Sequence, residues 1–107
     1  MLVQGQVDKV ADRNRLEQRW LELTRVLLPA MAKKNRWPIS QDHCFQRVLL
    51  DAACHGQWYD RIEGRPAYKA ASDVILAGAV SLGENILHDA ASLQRLNRQS
   101  LAYRGKI

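Results

Sequence analysis

Along residues 12–32 the apolar side chains return every three or four positions: Leu16, Trp20, Leu23, Leu27 and Met31. A helix turns once per 3.6 residues, so this spacing lays five side chains in one stripe. Glu17, Arg19, Glu22 and Arg25 fall off it. No run in the chain alternates with the period of a half-buried strand and closes through a hairpin turn. The chain is therefore built to pack helix on helix. Pro29 has no N–H to donate, which predicts a kink or an end near Leu28. Residues 1–10 carry a weaker pattern (Val3, Val7 and Val10, interrupted by Gly5) that either frays or extends the first helix.

Three further helices read the same way. Over 41–54, Phe45, Val48, Leu49 and Ala52 share a face, with Ser40 as the cap and Gly56 as the stop. Over 72–88, Ile75, Ala79, Leu82 and Ile86 share a face that Leu76, Val80 and Leu87 widen. Ser72 is its cap, and the small Gly78 and Gly83 admit a close neighbour. Over 89–103, Leu93, Leu96 and Leu101 form the apolar side. A turn of helix is expected over 67–71, behind Pro66. The expected fold is all-α, a compact bundle of about four main helices in one domain spanning 1–107, with a basic tail at 104–107. Its core draws on the first stripe, on Phe45, Val48 and Leu49, on Ile75, Leu82 and Ile86, and on the last three leucines.

At 107 residues the chain suits a single modest core. No apolar run is long enough to span a membrane, and no charged start leads into a signal-peptide core. Two cysteines without a disulfide framework fit a reducing cytoplasm. Walker A, dinucleotide-binding, nucleophile-elbow and H-E-x-x-H patterns are absent, so no cofactor is expected. The net charge of +5 is unevenly spread. Residues 1–37 hold eight Lys/Arg against four Asp/Glu, and residues 90–107 hold four against none, while the middle is mildly acidic. Lys33, Lys34 and Arg36 beside Trp37, with Arg95, Arg98, Arg104 and Lys106, could form a phosphate-contacting footprint if both ends share a face. They read equally well as solvated helix faces.

The densest chemistry lies in residues 39–60. His43, Arg47 and Asp51 stand at i, i+4 and i+8, one polar stripe on the 41–54 helix. Trp58, Tyr59 and Asp60 follow the Gly56 stop and can fold back over its end. A His, an Arg, carboxylates and aromatic donors in one place suit a small anion or a partner group. The plainer reading is an Arg47–Asp51 salt link beside a packed Trp58. His43-Cys44 and Cys54-His55 suggest a metal site only superficially. Ten helical residues separate the cysteines by about 15 Å, too far for shared zinc or a disulfide. No metal is expected, and His43 and Cys44 point about 100° apart, which argues against their pairing for catalysis.

The pattern H-C-F-x-R-x-x-L-D (His43 to Asp51), then W-Y-D (Trp58 to Asp60), A-Y (Ala67-Tyr68) and L-N-R-x-S-L-x-x-R-G-K (Leu96 to Lys106), resembles a group of short bacterial proteins sometimes labelled GNAT-type acetyltransferases. The resemblance covers about the last two-thirds of the chain. It implies a small cytoplasmic bacterial protein with its site at these residues. The acetyltransferase fold is a mixed α/β domain with an R/Q-x-x-G-x-G/A turn for the acetyl-CoA pyrophosphate. This sequence contains neither that turn nor strand-period runs.

Three functions remain open. The first is a non-enzymatic binding or regulatory module, monomer or homodimer, that recognises a protein partner or a small anionic ligand through His43, Arg47, Asp51, Trp58, Tyr59 and Asp60. The second is a nucleic-acid-binding module on the basic ends. The third is a small enzyme with His43 as acid/base and Arg47 holding an anion.

Overall fold

The computed structural model describes residues 4–107, with side chains from Val10 onward. Helix α1 (Gln4–Glu22) runs through a π turn (Leu23–Leu27) into α2 (Leu28–Asn35). Then come α3 (Asp42–Cys54), a 3₁₀ turn (Trp58–Asp60), the one-turn α4 (Ala67–Ala70), α5 (Asp73–His88), a second 3₁₀ turn (Ala90–Ser92) and α6 (Leu93–Tyr103). The described residues contain no strand, so the all-α bundle stands, with four main helical rods: α1–α2, α3, α5 and α6. No helix among the described residues is long and apolar enough to cross a membrane. Residues 4–10 extend the first helix, while residues 1–3 lie outside the described residues.

Pro29 does not end the first rod. The Leu28 N–H donates to the carbonyl of Leu23, five residues back, and the helix continues to Asn35. A widened turn just before Pro29 gives room where its ring would strike the carbonyl of Arg25. The extra residue also shifts the buried stripe. Trp20 and Leu23 are fully buried as expected, but the next core residues are Leu28 and Ala32 rather than Leu27 and Met31. Thr24, brought inward by the same turn, donates from Oγ1 to the Trp20 carbonyl (2.9 Å) and accepts from Gln46 Nε2 (3.1 Å).

The core gathers Trp20, Leu23, Leu28, Phe45, Leu49, Leu76, Ile86 and Leu93, all essentially without exposure. Helix α3 is its centre and packs on both α5 and α6, while α1 packs on α5. On α5 the inward face is Leu76, Ala79, Val80, Gly83 and Ile86, one step around from the expected Ile75 and Leu82, which are half-buried. A Cβ built on Gly83 would meet Leu23 Cδ1 and Leu49 Cδ1 at 3.3 Å, so its small size lets three helices converge. Gly78 has its nearest such neighbour, Ala53 Cβ, at an ordinary 3.8 Å.

The helix ends follow the capping rules with two shifts. Ser72 Oγ accepts from the Ile75 N–H as expected, and Asp89 Oδ1 accepts from the Ala91 N–H. Ser40 does not cap α3. Gln41 holds the cap position without a side-chain bond, and Asp42 accepts from the His43 N–H. At the other end His55, not Gly56, takes the left-handed conformation (φ 55°). The His55 and Gly56 N–H groups then bond back to Ala52 and Asp51 in a Schellman closure. Arg13 ties the corners together. It donates to the carbonyls of Tyr68 (2.9 Å) and Ala71 (2.8 Å) around α4, to Asp73 at the start of α5, and to Glu17 on its own helix.

Candidate functional site

Two polar stripes meet where α3 packs on α6. His43, Arg47 and Asp51 occupy one face of α3, and Asn97, Ser100 and Arg104, at steps of three and four, occupy one side of α6 and its end. The expected helical pair between Arg47 and Asp51 does not form. Arg47 donates instead across the interface, from Nη1 to Ser100 Oγ (2.7 Å) and from Nη2 to Asn97 Oδ1 (3.0 Å). Ser100 Oγ in turn donates to Asp51 Oδ2 at 2.6 Å.

Asp51, read from sequence as part of a ligand surface, is fully buried. Its two oxygens accept four hydrogen bonds. Arg104 supplies a fork, Nε to Oδ2 at 2.8 Å and Nη2 to Oδ1 at 3.0 Å; Ser100 and the Trp58 N–H (2.9 Å) supply the others. Bidentate guanidinium–carboxylate pairs are the strongest ordinary ion pairs in proteins, and removal of either partner strands a buried group. The hydrogen bond to Asp51 holds the Arg104 proton more firmly than in free arginine, against the opposing effect of burial. Arg104, grouped from sequence with the phosphate-contacting residues, thus serves an internal charge. The Schellman closure of α3 makes this possible, because it turns the chain back so that the Trp58 N–H faces Asp51.

Above this buried pair lies a cleft of about 390 Å³. His43, Gln46, Arg47 and Leu50 of α3 form one side. Trp58, Arg65, Pro66 and Ala67 form the other, and Arg104 completes the lining. Arg65 lies over the Trp58 ring, its guanidinium carbon 5.7 Å from the ring centroid. Among the described residues no carboxylate lines the cleft, and none lies within ion-pairing distance of Arg47 or Arg65. Asp42 stands 3.6 Å from His43 Nδ1 but is not part of the lining.

The structure therefore brings His43, Arg47 and Trp58 together and places the other three expected residues elsewhere. Asp51 is internal. Tyr59 stays outside the lining, edge-on to Trp58 and beneath the Arg104 guanidinium at 5.3 Å. Asp60 is exposed and is not part of the lining. Sequence reasoning missed Gln46, Leu50 and Arg65 in the lining, and Asn97 and Ser100 behind it. The signal for the last two was present, since Asn97, Ser100 and Arg104 repeat the helical step of the α3 stripe. Arg65 carried no such signal, because it sits in the connection before α4. Of the other basic residues, Lys33, Lys34, Arg36, Arg95, Arg98 and Lys106 are exposed, while the Trp37 ring is committed to Phe45 in an edge contact at 6.2 Å. Comparison with protein-family models, curated proteins and solved structures finds no match to this chain.

Proposed function

We propose that this chain is a non-enzymatic binding module whose cleft between α3 and the Trp58–Ala67 segment takes a small anionic group. The observation that carries the reading is the pairing pattern of the arginines. Arg104 is matched by the buried Asp51, whereas Arg47 is held rigidly by two neutral acceptors, Ser100 and Asn97. Its charge is positioned without being cancelled. Holding a guanidinium by neutral oxygens leaves its remaining N–H groups free for a ligand's oxygens and fixes their direction in advance. Leu50, Trp58 and Pro66 add apolar surface beside that charge, against which the body of a ligand can pack.

NMR titration of the ¹⁵N-labelled protein tests this. Small aryl anions should shift the Arg47 Nε–H, the Trp58 indole and the Trp58 backbone N–H, and benzamide, a neutral analogue, should leave them unmoved. Shifts confined to Lys33–Arg36 and to Arg95 and Arg98 would overturn the reading. A second reading rests on the exposure of Lys33, Lys34, Arg36, Arg95, Arg98 and Lys106: a nucleic-acid surface on the two basic ends. Its mark is duplex or single-strand binding whose affinity falls steeply as salt rises. Binding that stays flat with salt would dismiss it.

A further inference from the structure

We infer that the anion this cleft selects is the phosphate of a small phosphomonoester with an apolar body, in preference to a carboxylate; this rests on the anion-binding reading above. Charge is the first argument. Three guanidinium groups line the cleft, from Arg47, Arg65 and Arg104, and one carboxylate, Asp51, cancels Arg104 from behind. Two positive charges remain. A phosphomonoester carries about −1.5 to −2 at pH 7 and matches both. A carboxylate matches one and leaves the other facing an apolar wall.

Donor geometry points the same way. Arg47 spends one N–H on Ser100 and one on Asn97 and keeps the rest of its five. Arg65 makes no hydrogen bond among the described residues and is parked over Trp58 by a cation–π contact. One guanidinium fork occupies one edge of a planar carboxylate, whereas the third oxygen of a tetrahedral phosphate points out of that plane and offers a second arginine acceptor sites in a new direction. Size is the third argument. The cleft's volume of about 390 Å³ equals that of roughly a dozen waters at ~30 Å³ each. That is far more than a bare phosphate fills, and Leu50, Trp58, Pro66 and Ala67 line the remainder.

The experiment is calorimetry on the whole chain at fixed ionic strength and pH 7.5, with phenyl phosphate, benzoate, benzenesulfonate, inorganic phosphate and a phosphotyrosine peptide. Phenyl phosphate should bind about tenfold more tightly than benzoate or benzenesulfonate, the ratio expected from one stronger charge-assisted contact, and about tenfold more tightly than inorganic phosphate, through the apolar area its ring buries. Arg65→Met, which lies outside the Asp51 cluster and leaves the fold intact, should weaken phenyl phosphate about tenfold and benzoate little. Equal affinity for phenyl phosphate and for benzoate or benzenesulfonate overturns the phosphate inference and leaves the anion site standing. Inorganic phosphate binding as tightly as phenyl phosphate overturns the apolar body. Markedly tighter binding of the peptide overturns the small-molecule assignment. Binding of none of the probes overturns both the inference and the reading beneath it.

Discussion

Replacing Asp51 by Asn keeps the shape of the side chain and removes its charge and half of its accepting capacity. In the native protein the carboxylate is fully buried and takes two hydrogen bonds on each oxygen. With the amide oxygen in the Oδ1 position, the Trp58 N–H and Arg104 Nη2 keep their acceptor. The amide nitrogen then faces two donors, the Ser100 hydroxyl and Arg104 Nε. Ser100 cannot turn freely, because its oxygen already accepts from Arg47. Two stranded donors at about 1–3 kcal/mol each, and the ~3–5 kcal/mol typical of a broken buried pair, bracket the effect. The Arg104 side chain retains 20% exposure and so recovers some hydration, which places the expected loss near the lower end, about 3 kcal/mol. At roughly 4–8 °C per kcal/mol for a domain of this size, the midpoint should fall by about 12 °C or more. Urea unfolding followed by tryptophan fluorescence measures it. Arg104→Met, alone and combined with Asp51→Asn, closes a cycle in which the double variant should lose at least ~1 kcal/mol less than the two single losses together. An Asp51→Asn protein within about 0.5 kcal/mol of wild type, or strict additivity in the cycle, would refute the assignment of Asp51 as the anchor of the site.

Four other outcomes are expected. Gly78→Ala should stabilise the protein by up to about 1 kcal/mol through helix propensity, since its new Cβ finds ordinary space. Gly83→Ala should destabilise it by about 1 kcal/mol, because crowding between Leu23 and Leu49 outweighs that gain; the opposite order of midpoints would show that the three-helix convergence is not tight. Arg13→Met should cost about 2 kcal/mol through the lost bonds to the Tyr68 and Ala71 carbonyls and to Glu17. Hydrogen exchange should rise around α4, and unchanged exchange there would count against Arg13 as its tether. Stability should also fall in acid. The hydrogen bond from Arg19 holds Glu84 below its ordinary range, and the bond from Arg13 does the same for Glu17. Groups whose folded pKa is depressed stabilise the protein above the unfolded value near 4.5 and lose that contribution as pH drops through the folded value. A Glu84→Gln variant should show a shallower decline in melting temperature below pH 4.5 than the parent.

The sequence by itself determined that the chain folds as four helical rods and roughly where each begins and ends, and it marked the polar stripe of α3. Those properties are local, written in the period of apolar residues, in the Ser72 cap and in the polar step from His43 to Asp51. The tertiary structure decided what depends on distance. The π turn before Pro29 exchanged Leu27 and Met31 for Leu28 and Ala32 in the core, because one extra residue in a turn rotates everything after it. The packing of α3 on α6 turned Asp51 from a candidate ligand contact into a buried counter-ion for Arg104, fifty-three residues away. It left Arg47 held by Ser100 and Asn97 and brought in Arg65, which no helical period could place. An i, i+4 pair offers an exposed salt link worth only about 0.3–0.5 kcal/mol. A buried fork with two further donors outweighs it, and only the meeting of two distant helices creates that fork.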